Sequence, residues 1–379
     1  MTTERESSRR VTFGGFTVLN LYGTWREMGR RYGALVGDQL KETYAAAIEG
    51  SLFGVCGKGR DAAEAVALGF YANYPHRLRE LLAGMSETSG LDFGQHLLLN
   101  ALEVEVAGEI WADSGMTQAH CTGIAVWGEY SSGPLIYGRN YDYFSWFREL
   151  GKNLLVTVYH PCDGSLATAT VGYPGGAYMT TGINERGIFL ALNNGEPSGG
   201  ALEYRNRVPA IAELFMFLLD SPDLDQLESF MQSTRSNFAY VIGTADDQTS
   251  RCFEWPVFDV KRRLSVKRPG LMVATNHFTE PSWGLPRPDD AKFSWTRTRR
   301  QNLLNLAEHF KGSIDVARMK KILDTRLKDL GATTDNTVYQ VIAVPGSMSL
   351  SLKVPELTDW TDIPVGDFLR RSDEGDARP

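Results

Sequence analysis

The spacing of apolar and polar positions divides the chain near residue 120. After a polar start, residues 11–21 read as a strand. Residues 24–48 then follow a helical pattern behind Thr24, which can cap the helix with Glu27 three positions on. Helical spacing also predicts helices over 61–84 and 93–110, the second through Leu97, Leu98, Ala101, Leu102 and Val104. From residue 121 short extended runs take over, at 123–127, 135–139, 154–159, 166–171, 178–184 and 188–193, punctuated by turn residues such as Asp163-Gly164 and Pro174-Gly175-Gly176. Helices are expected at 208–219 and 224–233, strands at 238–244, 252–255 and 271–275, and helices again at 293–309 and 313–323. A hairpin of 337–344 with 349–354, turned at Pro345-Gly346, closes the pattern, and the charged tail from Asp367 is expected to fray. Strand runs separated by helix pairs fit a layered α+β architecture in which helices cover sheets. No repeat or flexible linker interrupts it. The change at 120 therefore reads as a processing point within one structural unit, with 1–120 a helical N-terminal segment or propeptide and 121–379 the core.

Composition narrows the classes of function. The 379 residues, 42% hydrophobic and 22% charged, can bury a large core. A net charge of −7 argues against a nucleic-acid partner, because phosphate binding needs a clustered basic excess. The basic runs Lys261-Arg262-Arg263 and Arg297-Thr298-Arg299-Arg300 read as solvated faces or as a single functional arginine among neighbours. Met1 to Arg10 lack the apolar core of a secretory signal, and no apolar run reaches membrane-spanning length, so the expected location is cytoplasmic, with no membrane partner. Cys56, Cys121, Cys162 and Cys252 show no metal-ligand spacing and read as reduced thiols, three of them packing residues. Neither a metal nor a cofactor is called for.

Cys121 differs from the others by its company. It opens an extended run directly after a polar segment, and Arg139 and Asp142 follow eighteen and twenty-one positions later, at the end of the next apolar run. If the two runs pair as a hairpin across residues 129–133, the cation and the carboxylate return to the end of the sheet where the thiol sits. A nearby guanidinium favours the thiolate, which is the working nucleophile.

These residues resemble the N-terminal-nucleophile (Ntn) hydrolases of the choloylglycine hydrolase and isopenicillin-N acyltransferase type, over about residues 23–354. Gly23-Thr24-Trp25-Arg26-Glu27-Met28-Gly29 with Gly33 is similar to the glycine-spaced opening of the acyltransferase branch, and Cys121 matches the nucleophile. Gly138-Arg139-Asn140-Tyr141-Asp142 is similar to the segment whose arginine lies beside the thiol and whose aspartate holds the new amine. Gly182-Ile183-Asn184-Glu185-Arg186-Gly187 through Asn193-Asn194 resembles the run that supplies an oxyanion asparagine, with Asn193 favoured over Asn194. Thr275-Asn276 resembles a second such segment, and Ser294-Trp295-Thr296-Arg297 the helix start that carries a site-facing arginine, here Arg297.

The resemblance implies a four-layer αββα fold. It also implies a chain that cuts itself before Cys121 and an acyl transfer from a linear amide, thioester or ester through a thioester at that residue. Catalytic roles then fall on Cys121, Arg139, Asp142, Asn193, Asn276 and Arg297. The expected partner is a small acyl-amide or acyl-thioester substrate, with water or an amine as acceptor and homo-oligomerisation left open. One departure stands out: His120 occupies the position where the acyltransferase branch usually has glycine, which bears on maturation more than on the nucleophile. His277 invites a Cys–His dyad, a reading discounted because the implied base is the α-amine of Cys121. Trp111, Trp127, Phe144, Trp146 and Trp283 are candidates for an apolar acyl pocket or for ordinary core. The rival reading is an unprocessed, non-catalytic small-molecule binder or scaffold with the same fold.

Overall fold

The computed structural model describes residues 7–54, 59–101, 120–195, 207–264, 267–291 and 293–370. In chain order the strands are β1 (Arg9–Phe13), β2 (Phe16–Gly23), β3 (Thr122–Val126), β4 (Ile136–Asp142), β5 (Leu155–Pro161), β6 (Thr168–Gly172), β7 (Thr181–Asn184), β8 (Phe189–Asn194), β9 (Ala239–Ala245), β10 (Ser250–Pro256), β11 (Lys261–Arg263), β12 (Leu271–Ala274), β13 (Thr337–Val344), β14 (Ser349–Lys353) and β15 (Thr361–Ile363). The α-helices are α1 (Trp25–Thr43), α2 (Arg60–Ala72), α3 (His76–Thr88), α4 (Phe93–Ala101), α5 (Ala210–Asp220), α6 (Leu224–Ser233), α7 (Thr296–His309), α8 (Val316–Asp324) and α9 (Gly366–Leu369).

Two sheets result, one ordered β1-β2-β5-β6-β7-β8-β9-β10-β11 and the other β12-β3-β4-β13-β14-β15. Their inner faces meet where β3 approaches β8 and where β12 approaches β9 and β10. Helix α1 covers β2 and β5 and α5 covers β7 on the outside of the first sheet, while α7 and α8 cover β12, β3, β4 and β13 on the outside of the second. The layers therefore run helix, sheet, sheet, helix, and the α+β class holds.

Strand alternation builds the two cores. On β3, Ile124 and Val126 join Ile136 of β4 and Leu303, Met319 and Leu323 of α7 and α8 in an outer core. Cys121 and Ala125 belong to the larger core that fills the space between the sheets.

Several boundaries differ from the sequence expectation for local reasons. The first strand is a hairpin, because Gly14 and Gly15 take φ of 49° and 93° and reverse the chain between β1 and β2. Strand β2 pairs in parallel with β5, so residues 16–23 share a sheet with residues 155–161. The helix expected over 61–84 is two helices, since Pro75 cannot continue the first and precedes the start of the second. The capping box at Thr24 and Glu27 forms, and α1 runs on into a π-helical stretch, Tyr44–Phe53. Cys56, residues 102–110 of the expected third helix, and Trp111 lie outside the described residues. Among the described residues no helix is long and apolar enough to cross a membrane.

Candidate active site

The hairpin expected around Cys121 forms, with Gly123 opposite Arg139 and Thr122 opposite Asn140. Period-two alternation then sends Arg139 and Asp142, three residues apart on β4, to opposite faces of the second sheet. Arg139 points between the sheets, where its Nη2 lies 3.5 Å from Cys121 Sγ and donates to the Leu192 carbonyl at 2.5 Å. Its Nη1 donates to Asn193 Oδ1 at 3.2 Å, and Asn193 Nδ2 reaches the Ala274 carbonyl across the sheets at 3.3 Å. The ring of Tyr141 flanks the guanidinium, with its centroid 5.4 Å from Cζ. Asn193 is thus the asparagine whose side chain faces the site, while Asn194 contributes its backbone carbonyl, which accepts from Asn276 Nδ2 at 2.8 Å.

Asp142 turns the other way, toward α7. Its Oδ1 accepts from Thr337 Oγ1 at 2.7 Å, and its Oδ2 lies 3.5 Å from Arg299 Nη1. Arg297 is not with them. Its side chain is 47% exposed, and its backbone N–H is spent on Asp290, whose carboxylate also takes the N–H of Thr298 and so caps the helix start. Residues two apart on an α-helix point about 200° apart, so the arginine that faces the site is Arg299, fully buried.

Arg299 Nη1 donates at 3.1 Å to the carbonyls of both His120 and Cys121, and it also contacts Thr122 Oγ1. Its Nη2 holds Asn276 Oδ1 at 2.8 Å, and its Nε returns to the Ser294 carbonyl at 2.7 Å. That carbonyl is aimed by two consecutive left-handed residues, Ser294 at φ 48° and Trp295 at φ 58°. The basic run around Arg299 was visible in the sequence, but a helix start displaced to Thr296 reverses which arginine looks inward.

Burial dominates the electrostatics. It pushes the Cys121 thiol up, Arg139 pulls it down, and the balance remains above the ordinary thiol value. Burial likewise lifts Asp142 to about 6 although Arg299 and the Thr337 hydroxyl both favour its charged form. Arg139 keeps its proton more firmly than usual, because burial is outweighed by the thiol and by the tyrosines 339, 137 and 141. His277 is driven down to about 3 by burial and by neighbouring arginines, and its Nδ1 lies within hydrogen-bond distance of the Thr275 and Thr296 hydroxyls. At that value it is neutral near pH 7, and among the described residues its ring contacts are these two hydroxyls and not Cys121. In the uncut chain burial therefore favours the protonated thiol, which lies next to a fixed cation and donates to the Asp142 backbone carbonyl at 3.9 Å.

No family model matches the chain, and no curated protein matches it. Among solved structures it is similar to a Caenorhabditis elegans N-acylethanolamine-hydrolyzing acid amidase ortholog, at 18% identity and a TM-score of 0.46 over 60% of this chain and 93% of that one. It is also similar to a mutant conjugated bile acid hydrolase from Clostridium perfringens, at 14% identity and a TM-score of 0.47 over 64% and 92%. A third is penicillin V acylase from Agrobacterium tumefaciens, at 10% identity and a TM-score of 0.37 over 63% and 84%. The functional reading of this chain stands on its own site.

Proposed function

We propose that the chain is a cysteine Ntn amidohydrolase or acyltransferase that acts on a linear amide, thioester or ester through a thioester at Cys121. The carrying observation is the buried contact of Arg139 Nη2 with Cys121 Sγ at 3.5 Å, in a site where Asn193, Asn276, Asp142 and Arg299 converge. The chain would first cut itself between His120 and Cys121, dividing 1–120 from 121–379. The thiol attacks the His120 carbonyl, whose oxygen already accepts from Arg299 Nη1, and the C–N bond breaks to leave a thioester and a free Cys121 amine. Water then releases the N-terminal piece.

In turnover the freed amine takes the thiol proton, Asp142 holds the resulting ammonium, and Arg139 stabilises the thiolate. The second N–H of Asn276 Nδ2, beyond the one given to Asn194, is the donor for the tetrahedral oxyanion, where one such donor supplies about 3 kcal/mol. Water as acceptor gives hydrolysis and an amine gives acyl transfer.

One observation favours a second reading. The thiol sits above its ordinary pKa in the uncut chain, as an inert core cysteine would, and a chain that never cuts itself is a binder or scaffold. Intact mass spectrometry with a panel of acyl amides and thioesters separates the two. Two pieces, with an acyl adduct on the Cys121 piece, support the enzyme; one uncut chain without adduct supports the binder.

A further inference from the structure

We propose that Glu254 and Arg263 are positioning residues for Asn276, a role that rests on the reading of Asn276 as the oxyanion donor. Glu254 lies on β10 of the first sheet and is fully buried. Arg263, on β11, is its diagonal cross-strand neighbour, because Glu254 pairs with Lys261 in the register. The two carboxylate oxygens of Glu254 gather donors from the loop that follows β12. Oε1 accepts from Thr279 N at 2.7 Å and Thr279 Oγ1 at 2.8 Å, and from Arg263 Nε and Nη2 at 2.9 and 2.8 Å. Oε2 accepts from Glu280 N at 3.1 Å and Trp283 Nε1 at 2.9 Å. Arg263 adds two bonds of its own, to the carbonyls of Val273 at 2.9 Å and His277 at 3.2 Å.

Those contacts fall on both sides of Asn276. The pair takes hold of the backbone at 273, 277, 279 and 280, and so fixes the exit of β12 against the opposite sheet. Among the described residues, Asn276 itself is anchored by its backbone N–H to Thr296 Oγ1 and by its side chain, which spans Asn194 of the first sheet and Arg299 of α7. An amide that must donate to a developing oxyanion needs its Cα fixed as well as its tip, since a displacement of about 1 Å can cost about 100-fold in rate. A buried carboxylate with six donors is a costly group to keep where an apolar side chain would fill the space, unless its geometry is used. Neither member touches Cys121 or Arg139 in the contacts that define the site.

The substitution Glu254→Gln keeps the shape but gives one of the two terminal atoms N–H groups that face other donors, whether the indole of Trp283 or the guanidinium of Arg263. The control is Glu228→Gln, a carboxylate on α6 that pairs with Arg251 of β10 and Arg262 of β11 and, among the described residues, makes no bond to the 273–283 loop. Two measurements decide. Pre-steady-state acylation of Cys121 by an acyl thioester should slow about 10- to 100-fold in Glu254→Gln with the substrate KM unchanged, and stay at the parent rate in Glu228→Gln. Hydrogen exchange should show lost protection of the Asn276, Thr279 and Glu280 amides in Glu254→Gln, with β3 and β4 protected as before. Unchanged acylation per folded molecule, beside a lowered melting temperature, makes the pair merely structural and overturns the proposal. If the parent chain itself never acylates, the proposed function fails; the exchange result still decides whether the pair holds Asn276, because unchanged protection there overturns the positioning role irrespective of activity.

Discussion

Replacing Arg299 by methionine, in a chain that also carries Cys121→Ala and so stays in one piece, should destabilise the protein by an amount that depends on pH. Arg299 is fully buried and donates to the carbonyls of His120, Cys121 and Ser294 and to Asn276 Oδ1, with Asp142 Oδ2 at 3.5 Å. Removing one partner of a buried ion pair typically costs about 3–5 kcal/mol, which covers both the stranded charge and the stranded acceptors. The charge part can be separated. Asp142 has a folded pKa of about 6 against an ordinary 3.8, so its favourable contribution is fully present below pH 3.8 and is lost as pH rises to about 6.

Without the guanidinium the folded pKa moves higher still. The Met variant then keeps losing stability above pH 6, at about 1.4 kcal/mol per pH unit, after the parent has levelled off. The difference between the two chains is therefore flat below about pH 6 and grows above it, by at most about 2.7 kcal/mol at pH 8. Urea unfolding of both chains at about pH 5.5 and about pH 8 measures it. An equal difference at the two pH values would refute the claim that Arg299 and Asp142 interact through charge.

Three further outcomes test the site. Cys121→Ala should abolish both cleavage and turnover, while exposed Cys162→Ser and buried Cys252→Ala retain both, as read by intact mass and product formation. Asn276→Ala should slow turnover about 100-fold with little change in substrate binding, and a lowered melting temperature with unchanged turnover would return it to a structural role. Arg297→Ala should leave turnover unchanged and shift stability by less than about 0.5 kcal/mol, because its side chain is half exposed and its ion pair with Asp290 is long, at 3.9 Å; a loss comparable with that of an Arg299 variant would reverse the assignment.

What the sequence showed of this site was what short-range geometry determines. A two-stranded hairpin returns Arg139 beside Cys121 whatever the rest of the chain does, and alternation along β8 leaves only the choice between Asn193 and Asn194. The choice itself depends on which face of the first sheet looks at the second, and that is a packing fact. Arg299 was missed because its direction follows from the first residue of α7, which is set by two left-handed residues, Ser294 and Trp295, that no propensity favours there. The Glu254–Arg263 pair was missed for a related reason. Lys261-Arg262-Arg263 reads as a solvated charge run until β11 is paired with β10, after which Arg263 has to face the carboxylate across the ladder.

If the chain is cut before Cys121 as proposed, the opposite facing of Arg139 and Asp142 on β4 would let one buried site hold both a thiolate and an ammonium. In the uncut chain near neutral pH two fixed guanidinium groups face a thiol that burial biases toward its neutral form and one carboxylate, Asp142, whose pKa of about 6 leaves it mostly ionised, so positive charge is in excess. An amine released at Cys121 enters that cationic surrounding, which disfavours its protonation and keeps part of it available as a base near neutral pH, where free α-amines have values of about 7.7–8.0. Moving the thiol proton to the amine then creates one anion and one cation, and each meets a partner already in place. The thiolate would form on the face where Arg139 lies 3.5 Å away, and the ammonium at the strand start on the side of Asp142, which Thr337 and Arg299 hold by its two oxygens. Had both groups shared one face, Asp142 would have neutralised Arg139 and left the thiolate without its counter-charge; the three-residue spacing on a strand is what prevents this.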